Sequence, residues 1–172
     1  SDVLINDAGF EWKLELHVIA CDRIDSLINL SDQIHAAVYP PNVHVDLWFH
    51  VDKCGKEDAI KEIIKASIQK FESSKAEISI NVYYKDDNRG LRNMWFDIFT
   101  DVAHREADDS FILILEDDIQ LSNLYLVWLN RIINQFWANQ IIGDINYWDD
   151  TYMGDIIGIS LSPIRVNEMK KP

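Results

Sequence analysis

Positive charge is scarce in this chain, because 16 Lys and Arg stand against 29 Asp and Glu and give a formal net charge of −13. Nucleic acids are held mainly by Lys and Arg on their phosphates, so this balance excludes a protein that binds a nucleic-acid backbone. A single nucleotide is compatible with the charge if a metal ion supplies the positive charge that the chain lacks.

Cysteine, glycine and proline are also sparse, with two, six and four residues respectively. Two cysteines, Cys21 and Cys54, are too few for a disulfide framework, and we expect free thiols. No apolar run approaches the ~20 residues of a membrane span. The motifs GxGxxG and GxxxxGK[ST] are absent, which excludes the two common glycine-rich phosphate loops. A bound phosphate would therefore depend on a metal and on isolated basic residues.

Strand and helix patterns alternate along the chain, which we read as a single domain over residues 1–172. Strands are predicted at residues 14–21, 43–51, 78–84, 111–116 and 156–162. Helices are predicted from a cap at Asp25 or Ser26 to Val38, from 56 to 72, from about Leu91 to Val102, and from Ser122 to about Trp137. Strands that alternate with helices pair in parallel, so the expected fold is an α/β, Rossmann-like sandwich with a mostly parallel sheet.

The most informative segment is FILILEDDIQLS, residues 111–122, in which an apolar run ends in Glu116, Asp117 and Asp118. A run this apolar predicts a strand that is covered on both faces, away from the edge of the sheet. The three acids then lie at the carboxyl end of the strand, where open α/β sheets bind ligands. Adjacent carboxylates favour a hard divalent cation, so the segment predicts a Mg²⁺ or Mn²⁺ site beside a phosphate. The alternative is a solvated acidic loop.

The order of several segments resembles the GT-A glycosyltransferases. LEDDIQLSNLYLVWL is similar to their metal-binding segment, and it looks most like the N-acetylglucosaminyltransferase I branch, in which EDD replaces the commoner DxD. The segments VIACDRIDSL, VDLWFHVD, NRGLRNMW and GISLSP follow the same order. The resemblance covers most of residues 14–163 and implies a three-layer GT-A sandwich that transfers a sugar from a nucleoside-diphosphate donor, expected to be UDP-linked.

The resemblance also implies roles for individual residues. Asp118, the last acid of the triplet, is expected to bind Mn²⁺ or Mg²⁺, while Asp117 and Glu116 orient the sugar or the waters of the metal. Arg23 matches a position near the nucleotide, and Asp52 matches the acid that recognises the base and ribose. The remaining expected donor-binding residues are Arg89 and Arg92, beside a glycine that permits close backbone approach.

Alternative readings remain for these residues. Arg89 and Arg92 are equally consistent with exposed charge at the start of a helix, and Asp52 with the simple end of a strand. The aromatic pair Trp95 and Phe99 is expected in the core. An aromatic residue in the acidic loop, Trp148, is a further candidate for stacking on a sugar.

The family continues past the strand that GISLSP resembles into an acceptor-binding half, whereas this sequence stops at Pro172. We therefore expect either the N-terminal, nucleotide-sugar-binding part of a longer catalytic domain, inactive or weakly active alone, or a reduced GT-A-like domain that binds a nucleotide sugar without efficient transfer. The acceptor could be a glycan, a protein or a small molecule, and no catalytic base is assigned. The resemblance implies the Golgi lumen if a membrane anchor precedes the sequence, and the cytoplasm otherwise.

Two other classes of protein compete with this interpretation. A receiver-like or phosphatase-like Mg²⁺ domain also ends a parallel strand in carboxylates, but its acids usually follow the first strand, whereas here the triplet follows the fourth. A non-catalytic α/β interaction module would explain the acidic composition equally well. It predicts no metal-dependent binding of a nucleotide.

Overall fold

The computed structural model describes residues 11–73, 78–103 and 110–135, in which four strands and four helices alternate. They are β1 (Trp12–Ala20), α1 (Ile24–His35), β2 (Val43–Val51), α2 (Glu57–Glu72), β3 (Ile78–Tyr84), α3 (Gly90–Ala103), β4 (Ser110–Glu116) and α4 (Tyr125–Ile133). The predicted strand at 156–162 and the loop that carries Trp148 lie outside the described residues. None of the described helices has the length and hydropathy that crossing a membrane requires.

The four strands form one parallel sheet in the order β3-β2-β1-β4. β1 lies between β2 and β4, with Ala20 opposite Val51 and Ile19 opposite Glu116. The chain moves outward from β1 to β2 and β3, and then returns to the other side of β1 to form β4. The strand order therefore reverses between β1 and β4, which is the switch point where open α/β sheets bind their ligands.

Helices cover both faces of this sheet. On one face α1, α2 and α4 pack on the alternate apolar residues of the strands, and this is the main core; its largest buried members are Trp12, Phe49, Leu14, Leu16, Leu27, Leu30, Ile34, Leu47, Ile60 and Ile64. On the other face α3 packs through Met94 and Ile98 on Ile19 and Ile114. The α/β, Rossmann-like fold class with its parallel, helix-covered sheet is confirmed.

The described residues supply one neighbour of β4 in the sheet. Among the described strands β4 is an edge strand, paired only with β1, and Ile112 is 39% exposed. The strand predicted at 156–162 lies outside the described residues, so the expectation of an interior strand covered on both faces stays a prediction. The apolar run is explained by one-sided packing, because Leu115 is buried and Phe111 and Leu113 pack against the main core while Ile112 lies on the thinly covered face.

Two helix caps differ from the prediction. The N-cap of α1 is Arg23, not Asp25 or Ser26, and no side chain caps this helix. The N-cap of α4 is Leu124, because Ser122 caps the turn before the helix, accepting a 3.2 Å hydrogen bond from the Leu124 amide on its hydroxyl. Both helices begin at a residue whose side chain forms no capping hydrogen bond, so the residue types that usually cap helices did not predict where they start.

The aromatic stripe on α3 is only partly core. Met94 and Ile98 are buried, whereas Phe99 is 53% exposed and Trp95 is half-buried. The prediction that Phe99 lies in the core was therefore wrong. Helical periodicity identified the apolar residues of α3. Among the side chains of this helix that the structure describes, only Met94 and Ile98 are buried against the sheet.

Candidate functional site

Three chain segments meet at the carboxyl end of β1, next to the switch point of the sheet. They are the turn from β1 to α1, the turn from β2 to α2, and the acidic residues that follow β4. The turn before α3 lies at the same edge, because the Arg89 and Gly90 amides donate hydrogen bonds to the carboxylate of Asp52, which follows β2. Because parallel strands end at one edge, residues far apart in the sequence become neighbours here.

Arg23 joins the first strand to the acids of the fourth. Its Nε lies 2.8 Å from Oδ1 of Asp117, and its Nη1 donates to Oδ2 of Asp118. Asp117 is buried, whereas the side chains of Asp118 and Arg23 are both 45% exposed. Two of the predicted acids thus converge on the predicted arginine, and one guanidinium partly neutralises both carboxylates.

The electrostatics of this pair follow from its burial. Burial raises the pKa of Asp117, an effect that the positive charge of Arg23 and the backbone amide of Cys21 oppose. The Cys21 amide lies 3.4 Å from Oδ2 of Asp117. Desolvation alone would lower the pKa of Arg23, but Asp117 and Asp118 outweigh it and raise that pKa. Asp117 is thus held by two groups, the Arg23 guanidinium on Oδ1 and the Cys21 amide on Oδ2.

Asp52 holds the start of α3. Its Oδ1 accepts hydrogen bonds from the amides of Lys53 (2.9 Å) and Arg89 (2.7 Å), and its Oδ2 accepts one from Gly90 (2.8 Å). The side chain is buried, with 3% of the residue exposed. A carboxylate has about four lone-pair positions, so three backbone amides leave about one for a ligand. The observed contacts give Asp52 a structural role in addition to any contact with a nucleotide.

Gly90 follows from the same arrangement. Its φ of +68° lies in the left-handed region, while a Cβ added there would meet no atom within 4 Å. The glycine is therefore required by its backbone conformation, which turns its amide toward Asp52. The sequence-based explanation, close approach of the backbone to a bound phosphate or base, stays a prediction.

The two arginines near α3 lie apart from the acidic cluster. Arg89 donates to both carboxylate oxygens of Asp97, at 3.3 Å from Nε and 3.0 Å from Nη2. This contact lowers the pKa of Asp97, as does the hydrogen bond from Lys85. Arg92 is exposed and lies over the ring of Phe96, 5.7 Å from its centroid. Both arginines have contacts of their own on α3.

A cleft of about 220 Å³ opens between these segments, and it is lined by Ile19, Cys21, Arg23, Asp52, Asn88, Gly90, Leu91 and Asp117. It brings together three of the seven predicted site residues, Arg23, Asp52 and Asp117. Asp118 joins them through Arg23. Glu116, Arg89 and Arg92 do not line this cleft; Glu116 ends β4 half-buried, and Arg92 lines a separate groove of about 380 Å³ on α3.

Several lining residues were not predicted, among them Cys21, Asn88 and Leu91. Cys21 directly follows β1, so its position at the ligand edge was a signal in the sequence. Asn88 precedes α3 and donates a 2.9 Å hydrogen bond from its side-chain amide to the Lys53 carbonyl, and Leu91 borders both the cleft and the groove on α3. Neither had a local signal, because both reach the cleft only through the attachment of α3 to Asp52.

The cysteines at this edge are free thiols, as expected. The Cys54 thiol donates to the Cys21 carbonyl at 2.6 Å. Burial and the neighbouring Cys54 raise the pKa of Cys21 to about 12. Cys21 is therefore a protonated, weakly nucleophilic lining residue.

The acidic cluster provides the oxygen donors that a hard cation requires. Asp117 and Asp118 turn carboxylate oxygens toward one positive group, the Arg23 guanidinium. Within residues 11–73, 78–103 and 110–135, no group of three or more His, Cys, Asp or Glu is arranged to hold a metal. One or two carboxylates are nevertheless sufficient for Mg²⁺ when phosphates and waters complete the shell. The residues therefore fit a metal that a phosphate ligand shares.

Comparison with known proteins identifies the fold. The chain is similar to the crystal structure of residues 1–349 of TarS from S. aureus, a glycosyltransferase, with a TM-score of 0.56 and 12% sequence identity. The match covers 72% of this chain and 33% of the TarS chain, so this chain spans about a third of that length. No protein-family model and no curated protein matches the sequence. The fold is glycosyltransferase-like, and the similarity extends no further than the fold.

Proposed function

We propose that this chain is the nucleotide-sugar-binding part of a metal-dependent glycosyltransferase of the EDD type. The donor is a nucleoside-diphosphate sugar, UDP-linked, and the acceptor is a glycan, a protein or a small molecule. The observation that carries the proposal is the convergence of Arg23, Asp52 and Asp117 on one cleft at the switch point of the sheet. A fold shared with a glycosyltransferase supports it.

The acids after β4 and Arg23 have different proposed roles in binding a diphosphate. Asp118, exposed at the end of β4, is the proposed metal ligand, assisted by Asp117 and by Glu116 through waters. When bound, Mn²⁺ or Mg²⁺ would neutralise charge on the diphosphate as the bond to the sugar breaks. Arg23 supplies the second positive charge at the same place. A protein cleft keeps such charges oriented, so little reorganisation is needed during the reaction.

The rest of the cleft positions the nucleotide. Asp52 holds Gly90 and the start of α3 beside the cleft, and about one of its lone pairs remains for a ribose or base. Leu91 and Ile19 provide apolar surface for a ring. Arg89 and Arg92 are proposed to contact the donor only from the rim, since neither lines the cleft. We assign no catalytic base.

A thermal-shift experiment tests this proposal. UDP and Mn²⁺ together are expected to raise the melting temperature more than either alone, since ligand at a hundredfold excess over its dissociation constant adds about 2.7 kcal/mol to the stability. Asp118→Ala should abolish that synergy. Asp32→Ala is the matched control. Asp32 is a half-exposed carboxylate that pairs with Lys70 of α2, and it lies near the C-terminal end of α1, away from the cleft. Unchanged synergy in Asp118→Ala would place the metal elsewhere.

The second candidate is a non-catalytic α/β interaction module. It is favoured by one observation, that Arg23 already neutralises the two carboxylates nearest the switch point. In that case neither UDP, GDP nor ADP would raise the melting temperature with or without Mn²⁺. Binding by any of these nucleotides in a manner that depends on Asp118 would exclude it.

Transfer itself is expected to need more chain than these 172 residues. A donor site that is open to water on its acceptor side weakens the electrostatic contacts within it. We expect these 172 residues to hydrolyse or transfer the donor sugar slowly or not at all. Full transfer by the 172 residues alone would contradict this expectation.

A further inference from the structure

The Arg23 guanidinium and the proposed metal compete for the same carboxylate group, that of Asp118. Nη1 of Arg23 donates to Oδ2 of Asp118, while Nε of Arg23 lies 2.8 Å from Oδ1 of Asp117. A divalent cation on the Asp118 carboxylate repels the guanidinium and weakens this ion pair, because two positive charges then share one anionic group. Metal binding at Asp118 therefore favours movement of the arginine.

The two contacts of Arg23 differ in how firmly they are held. Asp117 is buried and also receives the amide of Cys21, so its position is fixed by the backbone. Asp118 is 45% exposed, and the Arg23 side chain is equally exposed and free to change rotamer. The contact with Asp118 is therefore the one that a metal displaces, while the contact with Asp117 serves as the pivot.

We propose that Arg23 and the divalent cation exchange at Asp118, and that the arginine released from Asp118 moves onto the diphosphate. The proposal rests on the proposed function and adds a mechanism for the order in which charges assemble. Arg23 and Asp117 line the cleft itself, so a rotation about the Asp117 contact keeps the guanidinium within it. The arginine thus holds the acids together in the empty protein and binds phosphate in the loaded one.

The exchange makes metal and nucleotide binding mutually dependent. A metal that binds alone displaces Arg23 from Asp118 and leaves that end of the guanidinium without an anionic partner. When a diphosphate is present, the released guanidinium forms a charge-assisted contact with phosphate oxygens instead. Each ligand therefore improves the affinity for the other, and by reciprocity the two effects are equal.

Direct titration of Mn²⁺, followed by electron paramagnetic resonance of the free ion, tests the exchange without any activity assay. Arg23→Gln removes the competitor, so we expect it to bind Mn²⁺ alone roughly fivefold more tightly than wild type, the equivalent of one exposed ion pair. The enhancement of Mn²⁺ affinity by UDP should be smaller in the same variant, and the part that remains comes from phosphate oxygens that bind the metal directly. Arg23→Lys, which keeps the charge, should lie near wild type in both measurements.

Lys70→Gln is the control, because it removes the lysine that pairs with Asp32 at the opposite end of the helices. It should leave both affinities unchanged, and melting curves of all variants establish that they are folded. Arg23→Gln with wild-type affinity for Mn²⁺ alone, or with undiminished enhancement by UDP, would overturn the exchange and leave the proposed function standing. Failure of wild type to bind Mn²⁺ with or without UDP would overturn both.

Discussion

Replacement of Asp52 by alanine should be among the most destabilising changes at the sheet edge. The buried carboxylate accepts hydrogen bonds from three backbone amides, and two of these belong to the residues that begin α3. Alanine leaves those amides without their acceptor, although water can reach some of them. Loss of a helix cap costs about 0.5–2 kcal/mol, and a hydrogen bond to a charged group contributes about 1.5–3 kcal/mol.

The terms overlap, so we expect Asp52→Ala to lower the free energy of unfolding by about 3 kcal/mol. For a chain of this size that corresponds to a fall in melting temperature of about 6–12 °C. Asp52→Asn retains one acceptor oxygen and should lose about half as much. Urea unfolding followed by circular dichroism measures both values, and Asp32→Ala at the opposite edge should change the stability by less than about 1 kcal/mol.

The result also separates the two roles of Asp52. If its only role is to contact a nucleotide, Asp52→Ala will unfold at the same urea concentration as Asp32→Ala and will differ only in UDP affinity. That outcome would refute the argument that Asp52 anchors α3. A loss of stability in the absence of any nucleotide would support it.

Three further predictions concern other described contacts. Asn130→Ala should cost about 2 kcal/mol by urea unfolding, because Asn130 accepts the buried Trp12 indole N–H at 2.9 Å; an unchanged midpoint would refute this. Asp97→Asn should cost at most about 1 kcal/mol near pH 7; because Arg89 lowers the pKa of Asp97 in the folded protein, the difference from wild type should begin to shrink as the pH falls below about 4 and should vanish only below that lowered pKa, and a constant difference would contradict the assignment. Cys21, with its pKa raised to about 12, should be alkylated by iodoacetamide at pH 8 on the order of a hundredfold more slowly than free cysteine, and equal rates would contradict it.

Strand positions could be predicted from the sequence because their signals are local. The bounds of β3, Ile78–Tyr84, match the prediction, and β2 matches as well. β1 begins two residues earlier than predicted, because the Trp12 amide is bonded to the Asn42 carbonyl at 3.2 Å and the strand is paired on both sides. Pairing between strands extended β1 beyond what its own pattern indicated.

Helix ends depended on contacts that are distant in the sequence. Apolar spacing predicted α1 to continue to Val38, but the helix ends at His35. The Val38 amide instead donates a 2.8 Å hydrogen bond to the Asn123 carbonyl, in the segment before α4. A bond across 85 residues cannot be read from local periodicity.

In the candidate site, too, local signals could be predicted from the sequence and contacts between distant residues could not. The position of the acids after β4 and of Arg23 after β1 followed from strand ends, which the sequence locates. Their direct pairing did not, since residues 23 and 118 meet only through the return of the chain across the sheet. The role of Asp52 in holding the start of α3 could not be predicted either, because its carboxylate oxygens accept hydrogen bonds from amides that lie 37 and 38 residues away in the sequence.

Paramagnetic broadening by Mn²⁺ in the ¹⁵N–¹H spectrum of this 172-residue chain tests most directly whether the cleft binds a metal–diphosphate pair. Substoichiometric Mn²⁺ with UDP should broaden the amide signals of Cys21, Arg23 and Asp118, and Mg²⁺ with UDP should shift those signals without broadening them. The signals of α2 near Phe71, at the far end of the sheet, should stay sharp in both samples. Broadening centred away from Asp118, or none at all with UDP present, would contradict the assignment of this cleft as the nucleotide-sugar site.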